Sequence, residues 1–259
     1  MKPLEKSSWA HVAGGRKMED LNHQVANSTP PANFFLGSTV WNDANLSPTA
    51  AAQLSQLSAA GWSFNYTNLA SAPTNSSGTD YGHKMIAIGN NYSSNAFAAL
   101  GQLFHELGHA ENPTDLWGGD YSNADSYVNA AMQGEGYAQL NAFREAQQMG
   151  ATGQNVLVPG TSAIVQQEAA MYHTLSSQGA SDATIAAQLG NIMRNEVLAN
   201  GQTYDQYYRS HWFPGMQPGP GGGAAGGNAG GMYNGSVYVG PVTWSPTPTG
   251  YVTVGPIQL

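Results

Sequence analysis

In the run LFHELGHAENPTD, residues 103–115, two histidines stand four apart with a glutamate directly after the first. On an α-helix that spacing offsets two residues by roughly 40° and about 6 Å, so His105 and His109 face one point in space. Two imidazoles converging on one point meet half the demand of a tetrahedral zinc ion. Glu106 stands about 100° further round the helix and reaches past such an ion to the water it holds. The competing reading is a chance histidine pair on a buried helix face. Two histidines and a glutamate left there without partners are costly, so the metal reading is preferred. It requires a third ligand. The chain has no cysteine, which leaves only histidine or carboxylate to supply it.

The elements that must position these residues follow from pattern. Phe97, Leu100, Phe104 and Leu107 recur at helical spacing and predict a helix over 96–110 with a buried stripe. A short strand, KMIAIG at 84–89, leads into it, and WSFNYT at 62–67 alternates like a second strand. Ser47-Pro48 reads as N-cap and first helical residue of a helix that Gly61 stops. The stretch SAPTNSSGTDYG, 71–82, reads as loop from its composition, and residues 1–46 give no clear period. Helical pattern returns over 124–149, interrupted by Gly134 and Gly136 and stopped at Gly150. Two more helices are expected over 162–177 and 181–199, and TYDQYYRSHW reads as a short aromatic helix capped by Thr203.

The expected fold class is α+β, a mainly helical body with a small sheet. Residues 1–213 form the main domain. Residues 214–231, rich in Gly and Pro, read as a linker, and 232–259 as a β-hairpin that must dock on something to be stable.

Composition narrows the partners. Charged residues are 9% of 259, well under the roughly 25% of an average domain. The net charge is -8, and four of the eight basic residues, Lys2, Lys6, Arg16 and Lys17, lie at the N-terminal end. Too few cations are left to hold phosphates, so neither nucleic acid nor an anionic membrane is expected as a partner. No apolar run approaches the twenty or so residues of a membrane span. The N-terminus has no apolar core of a secretory signal. A cytosolic protein, a piece of a longer one, or export by a signal-independent route all fit.

The HELGH motif resembles the zincin metallopeptidases. The resemblance covers the strand and helix over 84–110 and implies zinc, a water activated at it, and Glu106 as general base. Branches of that family differ in the third ligand, and two positions compete. Glu135, in MQGEGYAQLNAFREA, is similar to the glutamate that a packed second helix supplies in thermolysin-like gluzincins, with Gly134 and Gly136 letting the two backbones approach. Where those enzymes place an aspartate one turn later to orient a histidine, this chain has Gln139, a weaker partner. Asp115 is the alternative. HAENPTD resembles the metzincin pattern, with Asn112 where a glycine turns the chain in a left-handed conformation, although Pro113 restricts Asn112 toward extended backbone. Glu135 is the expected ligand, because a packed helix holds it.

Zincins commonly place a Tyr or His opposite the metal to stabilise an oxyanion. Tyr208 and His211 in YDQYYRSHW are the candidates. Glu145 and Glu168 read as solvated helix positions, with a supporting place behind the metal ligands as the alternative for either. The resemblance implies hydrolysis of peptide bonds in a protein or peptide substrate. The missing signal and unusual composition are similar to bacterial effector or toxin metallopeptidases, which have delivery and immunity partners. Cell-wall peptides are a second substrate class, and a non-catalytic zincin-like module is the rival from a different class.

Overall fold

The computed structural model describes residues 29–67, 77–112, 121–150, 156–198, 200–215 and 238–242. It is an α+β fold. The helices are α1 (Ser38–Ala44), α2 (Pro48–Ala59), α3 (Ala96–Glu111), α4 (Ala124–Gly150), α5 (Ser162–Ser177), α6 (Asp182–Met193) and α7 (Tyr204–His211). The strands are β1 (Ser63–Tyr66), β2 (Ser77–Asp80), β3 (Met85–Ile88) and β4 (Tyr238–Val242). No described helix is long and apolar enough to cross a membrane.

Local chemistry sets most helix starts. The Ser47 hydroxyl accepts from the Ala50 amide at 3.2 Å ahead of Pro48, and the Asn95 side chain accepts from Ala98 at 3.2 Å to open α3. Thr203 and Gln206 form a reciprocal capping box that starts α7. Gly61, at φ 84°, turns the chain from α2 into β1.

The sheet runs β1-β3-β2-β4, with β1 and β3 parallel and the other pairs antiparallel. Phe64 of β1 pairs with Ile86 of β3, and both pack with Leu100, Leu103 and Leu107 of α3 in the main core. A second core gathers Tyr121, Tyr127, Val128, Met132, Tyr204, Tyr207 and Tyr208 where α7 meets α4.

Several expectations change here. SGTD, inside the segment read as loop, is strand β2, and all four of its residues are buried. A helix, α1, stands where no period was visible. Continuous helix runs through Gly134 and Gly136 to Gly150, and α6 stops at Met193, short of Ala199. The first piece of the expected C-terminal hairpin is β4, and it pairs with β2. Its Pro241 lies beside a register shift between Ser77 and Thr79, and proline, lacking an amide donor, is tolerated at a sheet edge or irregularity. Residues 216–237 and 243–259, most of the linker and the rest of the hairpin, lie outside the described residues.

The glycines expected to bring α3 and α4 together act elsewhere. Gly108, on α3, makes that approach: a Cβ there would stand 2.6 Å from the Ala138 Cα. Gly136 faces α6, where a Cβ would lie 1.9 Å from the Ala186 carbonyl oxygen, while Gly134 has open space. Gly136→Ala must therefore push two helix backbones apart, a strain of about 1–3 kcal/mol. The expected fall in melting temperature is roughly 3–10 °C. Gly134→Ala should leave it unchanged or raise it slightly, since alanine favours helix by up to about 1 kcal/mol. Thermal melts of the two variants check this, and equal losses would contradict the helix contact.

Candidate metal centre

Helix α3 is sunk between the sheet and α4, and His105, Glu106 and His109 are all buried on it. One turn-spacing brings the two imidazoles edge to face, with ring centroids 4.8 Å apart. Their Nε2 atoms are 3.1 Å from each other. Glu135 of α4, fully buried, completes a triangle: its Oε2 is 3.3 Å from His105 Nε2 and 3.6 Å from His109 Nε2. These are the only three described residues of their kind grouped closely enough to hold a metal ion.

The donor set fits a metal ion. Tetrahedral ligands ~2.0–2.1 Å from the ion stand about 3.3–3.4 Å from one another, and the three measured separations bracket that value. His105 Nδ1 faces the Gln139 Oε1 at 3.1 Å, which makes Nδ1 the protonated nitrogen and leaves the Nε2 lone pair facing the other two ligand atoms. Three electron-pair donors converging in a dry interior form an arrangement that a cation stabilises. Burial pushes the Glu135 carboxyl up, yet the charge and hydrogen bonds of His109 and His105 outweigh it and hold the group well below the usual carboxylate range. Burial lowers His109, with Glu135 pulling the other way.

Around the triangle each ligand has a support. The Tyr208 hydroxyl donates to Glu135 Oε1, the oxygen that does not face the histidines. Burial first and then Glu135 push the Tyr208 phenol well up, so it stays a donor. The Tyr81 hydroxyl donates to the His109 carbonyl. Thr79 Oγ1 of β2 donates to Glu106, 2.9 Å from Oε2 and 3.0 Å from the backbone carbonyl. Glu106 Oε1 has no hydrogen-bond partner although it is buried. Burial drives the Glu106 carboxyl well up; Thr79 opposes and Glu135 adds.

Of the residues singled out from sequence, the structure brings His105, Glu106, His109, Glu135 and Tyr208 together. The phenol proton of Tyr208 is committed to Glu135, so in this geometry the residue holds a ligand and does not point a free donor at an oxyanion. His211 is tied to its own helix: its Nδ1 donates to the Tyr207 carbonyl at 2.7 Å and its ring lies on Tyr207. Asp115 lies outside the described residues. Asn112 leaves α3 at φ -120°, not in the left-handed turn of the metzincin pattern, as Pro113 requires. Glu145 and Glu168, expected in solvent, are fully buried.

Thr79 was not legible in the sequence, because a polar four-residue strand carries no apolar alternation. Glu168 was hidden by its helix, where charged residues usually face water. No protein-family model, no curated protein and no solved structure matches the chain.

Glu135→Ala and Asp115→Ala separate the two candidate ligands. Removing a ligand carboxylate should weaken zinc binding by orders of magnitude, whereas a loop acid should change it by no more than ~10- to 100-fold. Competition against a chromophoric chelator reads both, and the large loss is expected at Glu135.

A second expectation concerns pH. Glu196 is buried, and its Oε1 accepts from the Thr161 amide at 2.6 Å. Burial pushes its carboxyl up to about 7; the Thr161 bond opposes and Glu135 adds. In the unfolded chain a glutamate titrates near ~4.3. Between those values the folded state binds the extra proton, so stability falls as pH rises. The penalty is absent below the unfolded value and complete above the folded one. Between pH 4.5 and 8 the metal-free wild type should lose about 3 kcal/mol relative to Glu196→Gln. Urea melts of both proteins at each pH measure it, and a pH-independent difference would contradict the assignment.

Proposed function

We propose that this chain is a zinc-dependent hydrolase of peptide bonds. One observation carries the reading: Glu106, next in sequence to a ligand, has one oxygen held by Thr79 and the other free, beside a buried His-His-Glu triangle. His105, His109 and Glu135 would hold the ion. Zinc, if held there, would supply a Lewis acid able to lower the pKa of a water. Glu106 Oε1 is the proton carrier. It takes the proton of the attacking water and returns it to the leaving amine nitrogen. Burial raises this carboxyl above the usual carboxylate range, and a more basic carboxylate is the better proton acceptor. Thr79 fixes the carboxylate's rotation, Gln139 and Tyr208 fix two of the ligands, and burial strengthens each of these interactions.

Three supports bear on the class. The HELGH motif resembles zincins, the triangle has zinc dimensions, and a scaffold without chemistry has no use for Glu106 with an unpartnered oxygen in its interior. Protein or peptide substrates follow from the resemblance. A resemblance to effector or toxin metallopeptidases would make the substrates host proteins or cell-wall peptides.

Glu106→Gln should keep stoichiometric zinc and an unchanged melting temperature while hydrolysis of a generic unfolded protein falls at least ~100-fold. Activity above a tenth of wild type would remove Glu106 as the base. Wild-type protein that holds zinc yet cuts nothing would favour the non-catalytic module.

A further inference from the structure

Behind His105 a line of buried groups runs away from the metal site. His105 Nδ1 meets Gln139 Oε1 at 3.1 Å. The Gln139 amide nitrogen donates one hydrogen to the Pro159 carbonyl at 2.9 Å and the other to Glu168 Oε2 at 2.6 Å. His105, Gln139 and Glu168 are each fully buried. Both amide hydrogens are thus taken by oxygens that accept, which turns the Gln139 carbonyl toward His105.

We propose that Glu168 is the anionic positioning residue of the metal site, acting on His105 through the Gln139 amide. This rests on the zinc reading of the His105, His109 and Glu135 triangle. Metal-ligating histidines gain basicity when their second nitrogen donates to a carboxylate. Here a neutral amide fills that place, and the carboxylate stands one hydrogen bond further out, on α5. Its charge polarises the amide, and the polarised carbonyl draws on the Nδ1 proton, since hydrogen bonds in series strengthen one another in a low dielectric.

The burial of Glu168 is otherwise hard to account for. Its Oε1 has no hydrogen-bond partner, and an unsatisfied buried acceptor destabilises the fold. Burial and then Glu196 push its carboxyl well up, against the Gln139 bond. A dication at the three ligands is the charge that offsets this and favours the ionised form. A residue kept only for packing would serve better as glutamine or methionine.

The test is zinc affinity set against metal-free stability. Glu168→Gln keeps the shape and removes the charge. Zinc binding, by chelator competition, should weaken ~10- to 100-fold, while the melting temperature of the metal-free protein holds or rises. A residue with a purely structural role would move both downward together. Glu168→Met replaces it if the amide does not fold. In a Gln139→Met background, which cuts the line, Glu168→Gln should change zinc affinity by less than ~2-fold, because coupled positions are non-additive. Three results overturn the proposal: zinc affinity within threefold of wild type in Glu168→Gln, a parallel fall in metal-free stability, or the same loss with Gln139 removed, which would mean action through space. Wild-type protein that binds no zinc overturns the metal-site reading instead, and that is seen before any variant is made.

Discussion

A carboxylate held in a dry interior beside two imidazoles is the constraint on which the rest of this structure depends. An isolated buried charge is prohibitive, so Glu135 exists at its position only because His105 and His109 face it and Tyr208 donates to its other oxygen. That geometry requires α3 and α4 to lie closer than ordinary side chains permit, and Gly108 against Ala138 is where the two backbones meet. A side chain at Gly108 would push α3 and α4 apart, and with them His105 and His109 from Glu135.

The supports come from four different directions. The sheet contributes Thr79 to Glu106, the turn after β2 contributes Tyr81 to the His109 backbone, α7 contributes Tyr208, and α5 contributes Glu168. Each brings a polar group to a residue of the site. A sheet of such short strands adds little apolar area, but it walls one side of α3 and delivers the hydroxyl that orients Glu106. The helical body does the same from the opposite side, through the line from His105 to Glu168. The α+β character of the fold is therefore visible in the site itself.

What the sequence made legible was whatever local rules govern. His105, Glu106 and His109 were readable because helical spacing alone brings them together, and the capped starts of α2 and α7 were readable from Ser47 and Thr203. Glu135 came through resemblance to a ligand pattern, and the structure brings it to the same point. What escaped was set by distant partners. Ser77, Gly78, Thr79 and Asp80 look like loop, but β3 and β4 flank them and Thr79 has Glu106 to bond, so tertiary contacts override composition. Glu145 and Glu168 look solvated, and only the packing of α4 and α5 buries them. Gly136 was read as the contact to α3; helical periodicity alone does not say which neighbour each face meets, and it packs on α6.

The antiparallel seam between β2 and β4 joins residues far apart along the chain. A chain is made from its N-terminus at roughly 5–20 residues per second, and early parts fold as they emerge. Thr79, His105, Glu106, His109, Glu135 and Gln139 all come before Glu168, Tyr208 and β4 along the chain. The loop joining His105 to Glu135 spans 30 residues, against 73 from Glu135 to Tyr208. The three residues of the triangle thus precede the strand that covers the β2 edge and the tyrosine that donates to Glu135. Glu168, Tyr208 and β4 follow in that order, so a chain that folds as it is made would build the triangle before its outer supports.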